Sequence, residues 1–90
     1  MLQQEIRVIN KSGLHARPAS AFVAEAGRYQ SNIHIHKDNE CINAKSIMGV
    51  MSAGITQGTL IILQADGPDE AEALDALTAL IDSGFGESTI

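Results

Sequence analysis

The sequence predicts a two-layer α/β (α+β) fold, an antiparallel sheet with every helix on one face, and three observations lead there. Short runs near the start and middle of the chain alternate apolar with polar residues, the period of half-buried strands. Other runs repeat their apolar positions every three or four residues, as helices with one buried stripe do. The connections are tight, and the resulting order β-α-β-β-α-β-α packs most economically as a sandwich of two layers.

Each element has its own justification. Leu2, Gln4, Ile6 and Val8 alternate with Gln3, Glu5 and Arg7 in a first strand that ends near Asn10. Pro18 dates the start of the first helix to within a residue or two, because the N–H that proline lacks would have had no partner in the first turn. Ala19, Phe22, Val23 and Ala26 form its inward stripe, Ser20 and Glu25 stay outside, and Gly27 can stop it. Ile33 and Ile35 alternate with His34 and His36, Lys37-Asp38-Asn39-Glu40 reads as a turn, and Cys41-Ile42-Asn43-Ala44 returns as the partner strand of a hairpin. A brief apolar helix is expected from Ile47 to Met51 or slightly beyond, ahead of Gly54 and Gly58. The last strand runs from Thr59 to Ala65, with Ile61 and Leu63 toward the core and Leu60 and Ile62 left as a small outer apolar patch. After the turn Asp66-Gly67-Pro68, the acids Asp69, Glu70 and Glu72 open a final helix, complementing its dipole. Leu74, Leu77, Leu80 and Ile81 line its inner face, and Gly84 ends it.

Ninety residues suit one domain over 1–90 with a single modest core, and no repeat, linker or low-complexity segment interrupts it. A lone cysteine, Cys41, permits no internal disulfide and fits a reducing compartment. The first residues carry neither a secretory signal nor a spanning run, so a cytoplasmic protein with no membrane insertion is expected. A net charge of −5 argues against general nucleic-acid binding. Lys11, Arg17, Lys45 and Arg28 nevertheless flank the informative motifs, while acids gather after residue 66. A locally positive face on an acidic body would suit acidic protein partners.

The most informative motif is Gly13-Leu14-His15-Ala16-Arg17-Pro18-Ala19. It sets a histidine at or next to the cap of a proline-initiated helix, where unpaired backbone N–H groups and the dipole favour an anion. Arg17 adds a planar fork of donors that matches phosphate oxygens better than an ammonium would. A neutral imidazole nitrogen can attack phosphorus in line, and phosphoryl transfer asks mostly for positioning and charge stabilisation. The heptad therefore predicts His15 as a nucleophile that carries phosphate. Ser12 lies two residues from the first helical amides and can help position the site, although turn chemistry is its first role. No paired carboxylates, metal-ligand triad or second base lie near in sequence, so a carrier without turnover of its own is expected, with no cofactor.

That heptad, together with Lys45-Ser46-Ile47-Met48-Gly49-Val50-Met51-Ser52, resembles the HPr family, the small histidine-containing phosphocarriers of the bacterial phosphoenolpyruvate-dependent sugar phosphotransferase system. The resemblance covers nearly the whole chain and implies an open-faced sheet of four antiparallel strands covered by three helices. It implies phosphate on Nδ1 of His15, received by Arg17 and by backbone amides such as that of Ala16. It also implies enzyme I as donor and sugar-specific IIA domains as acceptors, with a monomeric carrier between them.

Ser46 precedes the short helix as an N-cap would, worth ~1 kcal/mol. In Gram-positive-type HPr the equivalent serine is modified by a dedicated ATP-dependent kinase and then signals to a transcriptional regulator, so the resemblance also points to regulation at Ser46, though some members keep the serine without that kinase. Ile47, Met48 and Met51 cannot all be buried by so short a helix, and adaptable thioethers suit successive partners. With Ser20 they are the expected contact residues, whereas Phe22 is expected in the core. Two other readings stand beside the sugar carrier. One is a nitrogen-type relay carrier or a chiefly regulatory paralogue; Ser46-Ile47-Met48-Gly49 looks like the sugar branch, and a regulatory member in the style of Crh lacks the active histidine. The other is a metal-binding domain using His34, His36 and Cys41, which a hairpin pairing Ile35 with Ile42 would bring to one face; an exposed polar face is the favoured reading of those residues.

Overall fold

The computed structural model describes residues 1–87. It contains β1 (Leu2–Arg7), α1 (Ala16–Ala26), β2 (Asn32–Lys37), β3 (Glu40–Asn43), α2 (Ile47–Ser52), β4 (Leu60–Asp66) and α3 (Glu70–Asp82), in the order expected from the sequence. A short 3-10 turn, Gly84–Gly86, follows α3 and is not predicted by the sequence pattern.

The four strands lie in the order β1-β4-β2-β3, and every neighbouring pair is antiparallel. β1-α1-β2 and β3-α2-β4 are therefore both crossovers between parallel strands that straddle a third. They run in opposite directions across the sheet on strands of opposite sense, so the same right-handed connection puts both helices on one face. α3 packs against β1 and β4 on that side and touches α1. Into the layer between sheet and helices point Ile33, Ile35, Ile42, Ile61, Leu63 and Ala65 from the strands, meeting Phe22, Val50, Leu77 and Ile81 from the helices, all buried.

The hairpin register is the one that alternation demands, with Ile35 opposite Ile42, His36 opposite Cys41 and His34 opposite Asn43. β4 also alternates as read, Ile61 and Leu63 in and Leu60 out, although its limits shift one residue toward Asp66. β1 departs from expectation at its start. Leu2 is exposed and Gln4 solvated, and burial sets in only at Ile6 and Val8. As an edge strand, β1 is paired on one side only, by β4. Val8 prolongs the pairing beyond the strand proper, its N–H donating to Thr59 at 2.9 Å. α3 ends at Asp82 with Ser83 as its cap, one residue before the glycine expected to stop it. Leu80 is only half-buried, at the rim of a cleft between α1 and the end of α3.

Candidate functional site

The loop from Asn10 to His15 is pinned before it reaches the helix. Leu14 is fully buried and its N–H donates to Ile55 at 2.9 Å. Gly13 must be glycine: at φ +61° a Cβ would lie 2.4 Å from the Ile55 carbonyl oxygen. With Leu14 locked in the core, His15 is set at the rim. It is half-exposed, extended (φ −125°, ψ 155°), the N-cap of α1, and its side chain makes no capping bond.

The first turn of α1 is built to leave donors unpaired. The leading N–H groups of a helix have no partner within it, and Pro18 removes one of them altogether. Those of Ala16 and Arg17 remain, directly after the histidine. Ala16 stands at φ +53°, a left-handed conformation that a residue with a Cβ adopts at a cost of roughly 1–2 kcal/mol. Pro18 and Ala19 are buried and hold the turn down, while Arg17 is exposed. The site thus combines an accessible imidazole, two amides and a guanidinium within three consecutive residues, a set suited to accepting and steadying a phosphoryl group.

A carboxylate that sequence reasoning missed completes the neighbourhood. Glu87 returns to this loop and bonds to Ser12 and Asn10. The Asn10 side-chain amide, then the Ser12 backbone N–H, hold its carboxyl below the usual glutamate range, and the Arg17 charge adds to the effect. The glycines around Phe85 are the one local signal that the chain could turn back here.

The second motif folds as a self-contained cap. The Ser46 hydroxyl accepts from Gly49 N–H at 3.1 Å, and the Ser46 carbonyl receives Val50 N–H at 2.9 Å. Val50 takes the inward position, leaving Met48 76% exposed, Met51 40% and Ile47 37%. Ser20 is exposed on α1, which packs against α2, whereas Phe22 is fully buried. The basic residues expected to form a positive face divide. Lys11 and Arg17 are exposed, but Lys45 reaches the Tyr29 carbonyl at 2.7 Å and Arg28 pairs with Glu25 on its own surface. On the outer face of the sheet the His36 ring pairs with Gln64 rather than with Cys41. Among the described residues, no three His, Cys, Asp or Glu side chains are placed to hold a metal ion.

Comparison with known proteins converges on one family. The family model for the PTS HPr component phosphorylation site matches residues 2–83. The phosphocarrier protein HPr of Neisseria meningitidis is 48% identical over 87 residues, 97% of this chain and 98% of its own. The HPr-like protein Crh of Bacillus subtilis is 49% identical over 81 residues, 90% of this chain and 95% of its own. A crystal structure of HPr from Thermoanaerobacter tengcongensis superposes with a TM-score of 0.95 at 52% identity, covering 98% of this chain and 99% of that one. A structure of an HPr dimer from the same organism gives 0.78 at 53% identity, covering 97% and 100%. Pattern, fold and site geometry lead to the same place: the chain belongs to the HPr family of phosphocarrier proteins of the phosphotransferase system.

Proposed function

We propose that the chain is the general phosphocarrier of a sugar phosphotransferase system, with His15 as the residue that bears the phosphate. The observation that carries this reading is the half-exposed imidazole of His15, without a capping bond at the mouth of α1, followed at once by the Ala16 and Arg17 amides and the Arg17 guanidinium. The Nδ1 lone pair attacks the phosphorus held by enzyme I; a new P–N bond forms as the donor's bond breaks, and the same exchange in reverse order delivers the group to a IIA domain. Ala16 and Arg17 receive its oxygens, and Ser12, in the same loop, adds a further donor. An exposed site suits a carrier, which must release its cargo to the next protein and turns over nothing alone. Docking is assigned to Ser20, Ile47, Met48 and Met51, all exposed.

Incubation with phosphoenolpyruvate and enzyme I tests this directly. An acid-labile, alkali-stable phosphate is expected on His15 and is absent in His15→Ala; a wild-type chain that stays unmodified overturns the proposal. The carrier is read as a monomer, because His15, Ala16 and Arg17 are consecutive in one copy, and as cytoplasmic, because its lone Cys41 fits a reducing compartment. Light scattering at working concentration decides this against the dimer seen in the Thermoanaerobacter protein.

A regulatory role is the second reading, favoured by the likeness to Crh and by Ser46 at the start of α2. We infer that a serine kinase using ATP modifies this hydroxyl, placing a dianion beside Ile47 and Met48 where it repels an acidic donor and presents a signal to a transcriptional regulator. Phosphate from ATP that is acid-stable and lost in Ser46→Ala is the expected result with such a kinase.

A further inference from the structure

Glu87 reaches back across 75 positions to the segment that precedes His15. Its Oε1 accepts from the Asn10 side-chain amide at 3.0 Å and from the Ser12 backbone N–H at 3.1 Å, and its Oε2 accepts from the Ser12 hydroxyl at 3.0 Å. The chain arrives there through Gly84, Phe85 and Gly86, whose φ angles of +69°, +54° and +76° are left-handed three times in succession. A residue with a Cβ, such as Phe85, keeps that conformation only where its surroundings hold it. What holds the far end of this strap is the trio of bonds to Glu87.

Asn10 fastens the strap from inside the loop. Asn10 is fully buried, and the two hydrogens of its amide nitrogen go one to Glu87 and one to the Gly13 carbonyl at 2.9 Å. Its carbonyl oxygen Oδ1 has no hydrogen-bond partner among the described residues. The left-handed Phe85 is the cost that belongs to the closed strap.

We propose that Glu87 is a built-in competitor for the phosphoryl group: in the unloaded carrier its carboxylate occupies the Ser12 donors beside His15, and a phosphate on His15 displaces it and frees the strap 84–87. The inference rests on His15 as the acceptor. Carboxylate and phosphate want the same N–H and O–H donors and repel one another at close range, so both cannot hold them together. The left-handed Phe85 is a cost that opening relieves and that opposes the three bonds of Glu87, as a reversible element requires. Discharge of the phosphate then restores three bonds to Glu87, which offsets the hydrogen bonds given up by the departing cargo and keeps the carrier from holding it too well.

The test is a titration of the whole chain with inorganic phosphate, followed by amide NMR, on wild type and Glu87→Ala, which has no side-chain acceptor. The variant is expected to bind phosphate roughly tenfold more tightly, the factor that follows if the strap is closed about nine-tenths of the time. Unchanged shifts at buried Phe22 and Leu77 establish that the variant is folded. Loading wild type through enzyme I is expected to move the Ser12 and Phe85 amides toward the positions they hold in unloaded Glu87→Ala. Equal phosphate affinity in the two proteins overturns the proposal, as does a loaded wild type whose Ser12 and Phe85 signals stay in place. A chain that enzyme I never loads, yet whose variant still binds phosphate more tightly, overturns the carrier reading alone.

Discussion

Two helices in this molecule begin in the same way and reach opposite chemical states. Both α1 and α2 follow a residue in extended conformation, His15 (φ −125°, ψ 155°) and Ser46 (φ −104°, ψ 111°). At α2 the capping hydroxyl turns inward and takes the Gly49 N–H, so the helix satisfies itself. At α1 the cap side chain bonds to none of its helix, Ala16 is left-handed and Pro18 offers no N–H. The residues that carry the remaining donors, Ala16 and Arg17, are exposed. A helix end that closes on its own side chain supports the fold, and one held open is available to a ligand.

The largest effect should come from removing what α1 leaves open. His15→Ala is expected to abolish phosphoryl acceptance completely while shifting unfolding free energy by no more than about 0.5 kcal/mol, since a half-exposed side chain without a capping bond contributes little. Phosphate transfer and denaturant unfolding measured on one preparation check both halves. Phe22, on the same helix but turned into the core, is the counterpart: Phe22→Ala should cost about 3–5 kcal/mol by emptying the space it fills. Met48→Ala, at the open surface of α2, should leave stability within about 0.5 kcal/mol and weaken partner binding. A stability loss for Met48→Ala near that of Phe22→Ala would break the division between packed and exposed residues.

What the sequence made legible follows the range of the forces involved. The hairpin register could be read because Ile35 and Ile42 must share the buried face, and a slip of one residue would turn every side chain over. Pro18 placed α1, and Ser46 placed α2, because both act on their own neighbours in the chain. The start of β1 misled, because alternation reports which face a residue is on and says nothing of whether a helix covers it. The left-handed Ala16 left no trace, since no glycine or asparagine stands there. Glu87 was out of reach for a different reason: its partners lie 75 and 77 positions away, and no local pattern encodes a contact of that range. Around His15, the histidine and the arginine at the start of α1 were thus readable, and the carboxylate that shares their loop was not.

Smaller effects sharpen the contrast at α2. Ser46→Ala should cost about 1 kcal/mol, the ordinary value of a lost cap, and leave phosphate acceptance at His15 intact. Ser46→Asp separates cap from charge, because aspartate caps as well as serine does. It should keep wild-type stability yet slow acceptance from enzyme I, and the deficit should shrink as salt screens the added charge. Stopped-flow or quench measurements at two ionic strengths decide it; a deficit indifferent to salt would point to a steric cause.

The third helix provides the finest comparison. Its cap residue, Asp69, also makes no side-chain bond to its own helix. Its carboxylate instead accepts from the N–H groups of Gln30 and Ser31, both at 2.9 Å, and from the Ser31 hydroxyl, tying α3 to the loop before β2. The Ser31 hydroxyl, followed by the Gln30 amide, holds this carboxyl below the usual aspartate range. A pKa lowered by folding gives stability that is present above the unfolded value, near about 3.9, and lost as pH falls through the folded value. Glu70 and Glu87 are lowered as well and act in the same acid window. The melting temperatures of wild type and Asp69→Asn should therefore stand apart at about pH 6 and converge toward about pH 2, where both proteins lack the charge. A gap that persists unchanged across that range would show that the Asp69 bonds owe nothing to ionisation, and that α3 is fastened by geometry alone.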